Sequence, residues 1–167
     1  MGAFRYTPTP STRLHGRVCL AFSFMSAADT PAQNLPSFHV VAGALFDASG
    51  RVLIAQRPAG KHMAGGWEFP GGKLNAGEDR LAGLTRELRE ELGIEVCAAH
   101  PLVAYEHRYA ERCVLLDLWV VTRFSGEPQS LEGQPLQWAS LDELETIGLL
   151  EADRPMIAAL RARTNGA

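Results

Sequence analysis

The sequence predicts an α+β fold in which helices pack in layers over a sheet, with no second domain after residue 36. Hydrophobic residues make up 46% and charged residues 21% of the 167 residues, which is the balance of a globular protein. Short apolar runs typical of strands come first, at residues 38–46 and 51–57. An amphipathic helical pattern follows between residues 79 and 93, and further strands and helices continue toward the C-terminus.

The first two predicted strands are joined by a turn. "FHVVAGALF" (residues 38–46) is apolar and β-branched, and it ends in the turn sequence "DASG". "RVLIAQR" (residues 51–57) follows directly, so the two segments are predicted to pair as a hairpin. Residues 58–66 form a glycine-rich loop, and "WEF" is a short extended piece that ends at Pro70.

A helix of about four turns is predicted next. Asp79 can cap its start, and Gly93 stands where a left-handed C-terminal cap favours glycine. Leucines recur at spacings of three, four and four residues, which gives an apolar stripe that faces a core. These leucines are Leu81, Leu84, Leu88 and Leu92.

The C-terminal half adds strands and a second helix. Strands are predicted at residues 94–109 and 113–124, and the second is too apolar for a surface strand. A polar loop leads to a short strand, "LQWAS", whose Ser140 forms a capping box with Glu143. The inward-facing residues of the final helix, after "ADRP", are Met156, Ile157 and Leu160.

Charge and cysteine content argue against several classes of protein. A net charge of −3 does not suit a duplex-DNA binder, which needs a basic face. The three cysteines, Cys19, Cys97 and Cys113, are far apart and odd in number, so neither a disulfide framework nor a zinc site is expected. Cys97 and Cys113 are expected to be small buried hydrophobes. A reducing cytosol suits these cysteines, so a cytoplasmic protein is predicted, and the net charge argues against a nucleic-acid partner. No apolar run reaches the ~18 residues of a membrane span, so no membrane partner is expected.

Residues 1–36 differ from the rest of the chain. They are rich in Ser, Thr and Pro and contain no acidic residue before Asp29, so a disordered leader is predicted, upstream of an alternative start at Met25. Arg13 and Arg17 ahead of "VCLAFSFM" give the alternative of a signal peptide, whose apolar run would be at the short limit. The folded domain is therefore expected at residues 37–167.

The predicted helix also carries three acidic residues on one side. Glu87, Glu90 and Glu91 project together because residues three and four apart are neighbours on a helix, and their like charges repel one another. A solvated face can have this spacing too. Here the loop "FPGGKLNAGE" leads straight into it, so backbone carbonyls can lie beside the acids. Carboxylates and carbonyls are the hard oxygen donors that Mg²⁺ or Mn²⁺ binds.

This stretch resembles the Nudix box at every fixed position, from Gly72 through Glu78 to the run "RELREELGI" that begins at Arg86. The resemblance extends to the MutT-type branch through "RPAGKHMAGGWEFPGGK" and "FSGEPQSLEGQPLQW", and it covers about residues 38–163. It implies an α/β/α sandwich with a mixed β-sheet. It also implies an enzyme that hydrolyses a nucleoside triphosphate, foremost 8-oxo-dGTP, to the monophosphate and pyrophosphate. Such an enzyme cleans the nucleotide pool and protects DNA replication, which links it to DNA repair.

The resemblance further implies roles for individual residues. Arg86 would orient Glu87 through a charge-assisted hydrogen bond, and Glu78 would support the loop. Glu87 and Glu132 are both candidates for the general base, and Glu132 has the alternative of being an exposed loop acid. The implied metal ligands are the Gly71 carbonyl and the carboxylates of Glu87, Glu90, Glu91 and Glu132. The implied substrate contacts are Arg57, His62, Glu68, Phe69, Pro70, Gly71 and Asp153.

Asp153 departs from the oxidised-guanine hydrolases, in which an asparagine stands before the last helix. Asparagine both donates and accepts hydrogen bonds, whereas an ionised aspartate only accepts and suits a donor such as the amino group of cytosine. A protonated Asp153 would imitate asparagine if burial raised its pKa, and helix capping is its structural alternative.

Two other functions remain open. "ADRP" and "LIAQRPA" also resemble the pyrimidine triphosphate hydrolases, so CTP or modified dCTP is the alternative substrate. A non-catalytic nucleotide-sensing module is the alternative from another class, and the intact box argues against it. Oligomeric state is left open.

Overall fold

The computed structural model describes residues 35–164, which form an α+β domain. The predicted leader therefore lies outside the described residues, except for its last two positions. The strands are β1 (Ser37–Leu45), β2 (Val52–Gln56), β3 (Trp67–Glu68), β4 (Gly71–Lys73), β5 (Glu95–Arg108), β6 (Cys113–Ser125) and β7 (Leu136–Ala139). The helices are α1 (Arg80–Leu92) and α2 (Arg154–Thr164), with short 3₁₀ turns at Glu143–Glu145 and Glu151–Asp153.

The strands form two sheets. The larger sheet is mixed, in the order β4-β1-β6-β5, because β1 runs parallel to β6 while the other neighbours are antiparallel. The smaller sheet is antiparallel, in the order β3-β2-β7. The predicted hairpin between residues 38–46 and 51–57 is wrong, since β1 and β2 lie in different sheets and share only a bridge between Phe46 and Val52. β1 is apolar on both faces, which suits a central strand paired on both sides.

Two apolar clusters lie on opposite faces of the larger sheet. Val41 and Leu45 of β1 belong to the cluster that includes α1, whereas Ala42 and Ala44 belong to the cluster that includes α2. This separation follows from the alternation of side chains along a strand. The helices therefore cover both faces, which confirms the predicted α/β/α sandwich.

Helix α1 has the predicted boundaries. The Asp79 side chain accepts hydrogen bonds from the amides of Leu81 and Ala82 at 3.0 and 3.1 Å, and Gly93 is left-handed with φ 69°. Three of the predicted core leucines, Leu84, Leu88 and Leu92, are fully buried. Leu81 was also predicted to face the core, but it is 39% exposed. Helical period indicates the face on which a residue lies, and it does not indicate whether a neighbouring element covers that turn.

The remaining local predictions have mixed outcomes. The capping box is present, since the Ser140 amide donates to Glu143 at 2.7 Å and the Glu143 amide donates to Ser140 Oγ at 3.3 Å. The expected burial of Cys97 is wrong, because it is exposed beside an irregularity of edge strand β5, and Cys113 is only partly buried. None of the helices within residues 35–164 is long and apolar enough to span a membrane.

Candidate active site

The guanidinium of Arg86 organises the acidic side of α1. Its Nε and Nη2 donate to the two carboxylate oxygens of Glu78, each at 2.8 Å, and its Nη1 donates to Glu87 at 2.7 Å. Nη2 also reaches the Lys73 carbonyl at 3.1 Å, so helix, loop and β4 share one anchor. The hydrogen bonds from Arg86 lower the pKa of Glu78 to about 2. The expected Arg86–Glu87 hydrogen bond and the tie from Glu78 are thus both present.

The glycines of β4 lie directly against these acids. The Gly71 amide donates to Glu91 at 3.0 Å. A Cβ atom at Gly72 would overlap the Glu87 carboxylate, and one at Gly71 would overlap the Val41 carbonyl. Gly71 also has a φ of 149°, which side-chain-bearing residues rarely adopt. Glycine therefore allows β4 to approach the Glu87 carboxylate of α1 at Gly72 and the β1 backbone at Gly71.

The three glutamates of α1 lie on the side facing β4 but point to different partners. Glu87 and Glu90 both turn toward Arg86, at 2.7 and 3.3 Å, whereas Glu91 turns toward the Gly71 amide. Glu90 is the most exposed of the three, with 57% of its side chain accessible. Burial, together with the charges of Glu132, Glu68 and Glu87, raises the pKa of Glu91 to about 8 even though the Gly71 amide bonds to its carboxylate. Negative charge is thus concentrated around Glu91.

A buried glutamine fixes the distant loop that carries Glu132. Gln134 is 5% exposed and donates to the Glu91 carbonyl at 3.1 Å, while its side-chain oxygen accepts from the Glu132 amide at 3.0 Å. The Leu131 amide donates to the same Glu91 carbonyl at 3.1 Å. The backbone around Glu132 is therefore held beside the end of α1. Its carboxylate accepts a hydrogen bond from Lys61 at 3.3 Å.

A cavity of about 170 Å³ opens beside β4, on the α2 side of the larger sheet. Its most buried polar group is Asp153, which is 7% exposed and accepts a hydrogen bond from the Phe69 amide at 3.2 Å. Burial, followed by the charge of Glu68, raises the pKa of Asp153 to about 7. The helix-capping alternative is not favoured, because this carboxylate bonds to Phe69 and not to the start of α2. Asp153 thus meets the condition that burial must raise its pKa.

Charged and aromatic side chains form the more exposed wall of this cavity. Arg57 donates to Glu68 at 2.9 Å, and burial raises the pKa of Glu68 despite this pairing. The His62 ring lies 6.1 Å from the Tyr109 ring in an edge arrangement, and the Arg112 guanidinium stacks 5.0 Å from the same ring. A planar aromatic compound could therefore enter between an acidic floor and a cationic rim.

The cavity adjoins a narrow cleft that contains Glu91 and Glu132, hereafter the acidic cleft. Of the expected substrate contacts, Arg57, His62, Glu68, Phe69, Gly71 and Asp153 all line the cavity. Glu68, Phe69 and Gly71 also line the narrow cleft that contains Glu91 and Glu132. Pro70 lines only that cleft, and its carbonyl accepts a hydrogen bond from the Gly43 amide at 2.9 Å. One elongated compound could thus contact both regions.

Comparison with known proteins gives the family. Residues 41–159 match the NUDIX domain family. The chain belongs to the Nudix family. It is 39% identical over 122 residues to the CTP pyrophosphohydrolase of Escherichia coli K12, covering 73% of this chain and 90% of that protein. It is 35% identical over 127 residues to the 8-oxo-dGTP diphosphatase of the same strain, covering 76% and 98%.

Solved structures agree with this family assignment. The solution structure of the E. coli ORF135 protein has a TM-score of 0.69 at 38% identity, covering 79% of this chain and 94% of that one. The crystal structure of a MutT Nudix hydrolase from Burkholderia pseudomallei has a TM-score of 0.67 at 29% identity, covering 74% and 97%. The chain is therefore a MutT-type Nudix hydrolase.

Nudix hydrolases generally need a divalent metal, and the acidic cleft fits this need chemically. The donors near α1 are carboxylate oxygens, which hard cations prefer, and a cation would relieve the repulsion that raises the pKa of Glu91. Within residues 35–164, no three acidic, histidine or cysteine side chains stand close enough together to hold an ion as they are placed. A metal at this cleft would therefore require side-chain movement, and Glu90, with 57% of its side chain accessible, is the most exposed of the three glutamates.

The Nudix fold also brings in side chains that the sequence analysis did not select. Tyr109 and Arg112 come from the turn between β5 and β6, and Lys73 packs its ammonium 4.1 Å from the Phe38 ring at the cavity wall. Gln134 belongs to the segment that the sequence describes only as a polar loop. The signal available for Gln134 was its position two residues after Glu132, and no local pattern distinguished the others.

Proposed function

We propose that this Nudix enzyme is a Mg²⁺-dependent nucleoside triphosphate diphosphatase whose principal substrate is 8-oxo-dGTP. The products are 8-oxo-dGMP and pyrophosphate, so the enzyme removes an oxidised precursor before a polymerase can use it. Relatives named 8-oxo-dGTP diphosphatase at 35–41% identity support this substrate class. The proposed location is the cytoplasm, with residues 37–167 as the catalytic domain.

The burial of Asp153 in the cavity is the observation that carries the choice of base. Its pKa of about 7 means that the protonated and ionised forms are both populated near neutral pH. The protonated carboxyl group donates one hydrogen bond and accepts another, as an asparagine amide does. Oxidation of guanine places a ring carbonyl and an N–H on its imidazole side, which require such a pair. Asp153 can therefore replace the family asparagine in this role.

The side chains around the acidic cleft have proposed roles of their own. The metal would be held by the Gly71 carbonyl with Glu87, Glu90, Glu91 and Glu132. When bound, Mg²⁺ neutralises charge that develops on the phosphoryl oxygens and acidifies water for attack. Arg86 restricts Glu87 through its 2.7 Å hydrogen bond, so that the carboxylate keeps its direction during the reaction.

The general base is one of two carboxylates. Glu87 is 15% exposed and fixed by Arg86, whereas Glu132 is 46% exposed and paired with Lys61. Either can accept a proton from the attacking water. The variants Glu87→Gln and Glu132→Gln distinguish the two candidates. The variant that lacks the base should lose the acidic limb of the pH–rate profile while it still binds the nucleotide.

The rim of the cavity has a proposed role in nucleotide binding. Arg57 lines the cavity and bonds to Glu68, which lines both the cavity and the cleft, so its guanidinium can contact the sugar or a phosphate oxygen. His62 and Phe69, which both line the cavity, would contact the base, and Glu68 would hold Arg57 in place. These contacts orient the triphosphate toward the carboxylates of α1.

CTP or a modified dCTP is the second candidate substrate. The relative at 39% identity is named a CTP pyrophosphohydrolase. Above pH 7 the ionised form of Asp153 predominates, and this form accepts a hydrogen bond from the amino group of cytosine. The hypothesis of a cytosine nucleotide substrate therefore predicts that kcat/KM for that substrate increases as Asp153 loses its proton.

One substrate panel tests the proposal. We expect the highest kcat/KM for 8-oxo-dGTP among 8-oxo-dGTP, dGTP, CTP, dCTP and a modified dCTP, with pyrophosphate as product in Mg²⁺. Mn²⁺ in parallel reactions tests the metal preference. Glu90→Gln is the control, since this exposed carboxylate is a proposed ligand and its loss should abolish turnover while the fold remains. A preference for the cytosine nucleotides would replace the first substrate by the second.

A further inference from the structure

Lys61 lies at the acidic cleft without a role in the function proposed so far. It belongs to the loop between β2 and β3, and its ammonium donates to Glu132 at 3.3 Å across 71 residues of sequence. Lys61, Glu68, Glu91 and Glu132 all line the same narrow cleft. The Lys61 charge also lowers the pKa of Glu68, against the effect of burial. One flexible cation thus stands among three carboxylates.

The loop that carries Lys61 is closed by hydrogen bonds at its base. The Arg57 amide donates to the Gly66 carbonyl, and the Gly65 amide donates to the Arg57 carbonyl, both at 2.9 Å. Toward the tip, Met63 has a φ of 62°, a left-handed conformation that is strained for a residue with a side chain. The Lys61 side chain, which is 53% exposed, therefore extends from a loop whose base is attached to β2 and β3.

Glu132 is held differently, because its backbone is fixed and its side chain is not. Gln134 and the Glu91 carbonyl anchor the surrounding loop. The carboxylate is 46% exposed and lies close enough to Glu91 for its charge to raise the pKa of Glu91. A divalent cation shared with Glu91 and the ammonium of Lys61 would thus compete for one carboxylate.

We propose that Lys61 is a polyphosphate-binding residue that Glu132 holds until a divalent cation takes its place. The inference rests on the proposed function, since it uses Glu132 as a metal ligand and a triphosphate as substrate. Once Glu132 binds the cation, the Lys61 ammonium is released beside the cleft. Its flexible chain and three donors suit the terminal phosphates. Lys61 therefore opposes metal binding in the free enzyme and favours nucleotide binding in the metal-loaded enzyme.

This role predicts opposite effects of one substitution on two ligands. In Lys61→Met, Mn²⁺ should bind the nucleotide-free enzyme about 2- to 5-fold more tightly, which corresponds to the loss of an exposed ion pair. The KM for the triphosphate should rise about 10-fold, which corresponds to the loss of one charge-assisted hydrogen bond. Lys61→Arg keeps the charge and should change both values less. A purely structural role would weaken both ligands, and a free surface lysine would affect neither.

The experiment combines calorimetry with steady-state kinetics. Mn²⁺ is titrated without nucleotide into wild type, Lys61→Met, Glu132→Gln and the double variant. Lys61→Met should tighten binding only when Glu132 is present. Arg123→Met is the matched control, because it removes the same charge from an exposed position on β6. If Lys61→Met and Arg123→Met increased the Mn²⁺ affinity equally, the effect would come from net charge alone and the inference would be overturned.

The two proposals fail in different ways. If wild type releases no pyrophosphate from any nucleoside triphosphate, the proposed function is wrong. If wild type is active but Lys61→Met leaves the Mn²⁺ affinity or the KM unchanged, the function stands and the role of Lys61 is wrong.

Discussion

Replacing Asp153 by asparagine should change how the stability of the protein depends on pH. Burial raises the pKa of Asp153 from 3.8 to about 7, so the folded protein holds a proton that the unfolded chain has lost. Stability therefore falls as pH rises from about 4 to about 7, and it is level above that. The free energy of unfolding decreases by ~1.4 kcal/mol for each pH unit in this window. Because Asp153 is only 7% exposed, solvent screening reduces this cost little.

Asp153→Asn removes the titrating group and keeps the shape of the side chain. Between pH 5 and pH 8 the free energy of unfolding of the wild type should fall by about 3 kcal/mol relative to that of Asp153→Asn. This value corresponds to the two pH units between pH 5 and the folded pKa of about 7. Urea unfolding of both proteins at pH 5, 6, 7 and 8 measures the difference. Other titrating groups are common to both proteins and cancel. The variant should be the more stable protein at pH 8.

A matched control and an activity measurement complete this test. Glu151→Gln removes the same charge from an exposed position of the same turn and should not reproduce the pH-dependent gain. The kcat/KM of wild type for 8-oxo-dGTP should fall above pH 7, whereas Asp153→Asn should lack this fall. Unfolding curves that differ by the same amount at pH 5 and pH 8 would refute a protonated, buried Asp153.

Three other predictions test the site and the core. Gly72→Ala should lower kcat/KM at least ~100-fold while the protein stays folded, because the added methyl group displaces the Glu87 carboxylate. Steady-state kinetics measure the loss, and circular dichroism checks that the variant is folded. Arg86→Lys should lower kcat about 10- to 100-fold, since a lysine cannot hold Glu78 and Glu87 together, and unchanged turnover would contradict that role. Leu84→Ala should cost about 2–5 kcal/mol in urea unfolding, and Leu81→Ala under about 1 kcal/mol; equal losses would contradict the burial of Leu84 and the exposure of Leu81.

The features of α1 were predictable because they are local. Asp79 and Gly93 define a helix by chemistry that acts over one turn, and the structure has both caps. The hydrogen bond from Arg86 to Glu87 joins neighbouring residues. Gly72 is a fixed position of the box, and the structure adds the reason, which is the close approach of β4 to the Glu87 carboxylate.

The incorrect predictions all concern partners distant in sequence. Residues 38–46 and 51–57 have the composition of a hairpin, yet β1 pairs with β6 over nine residue pairs, some 76 positions away. Leu81 has the correct helical phase without a covering element. Cys97 has the hydrophobicity of a core residue but lies at an irregular edge strand. Composition describes what a segment can pair with, and the rest of the chain selects the partner.

The sequence by itself determined the family, the acidic helix with its glycine loop, and the order of most elements. These depend on residue types within about 25 positions of one another, where hydrogen bonds and helical period act directly. Only the tertiary structure decided that Asp153, Arg57 and Tyr109 share one cavity, and that Asp153 is buried deeply enough to hold a proton near neutral pH. Burial depends on side chains from β1, β6 and the β5–β6 turn, and no local pattern in the chain specifies how they meet.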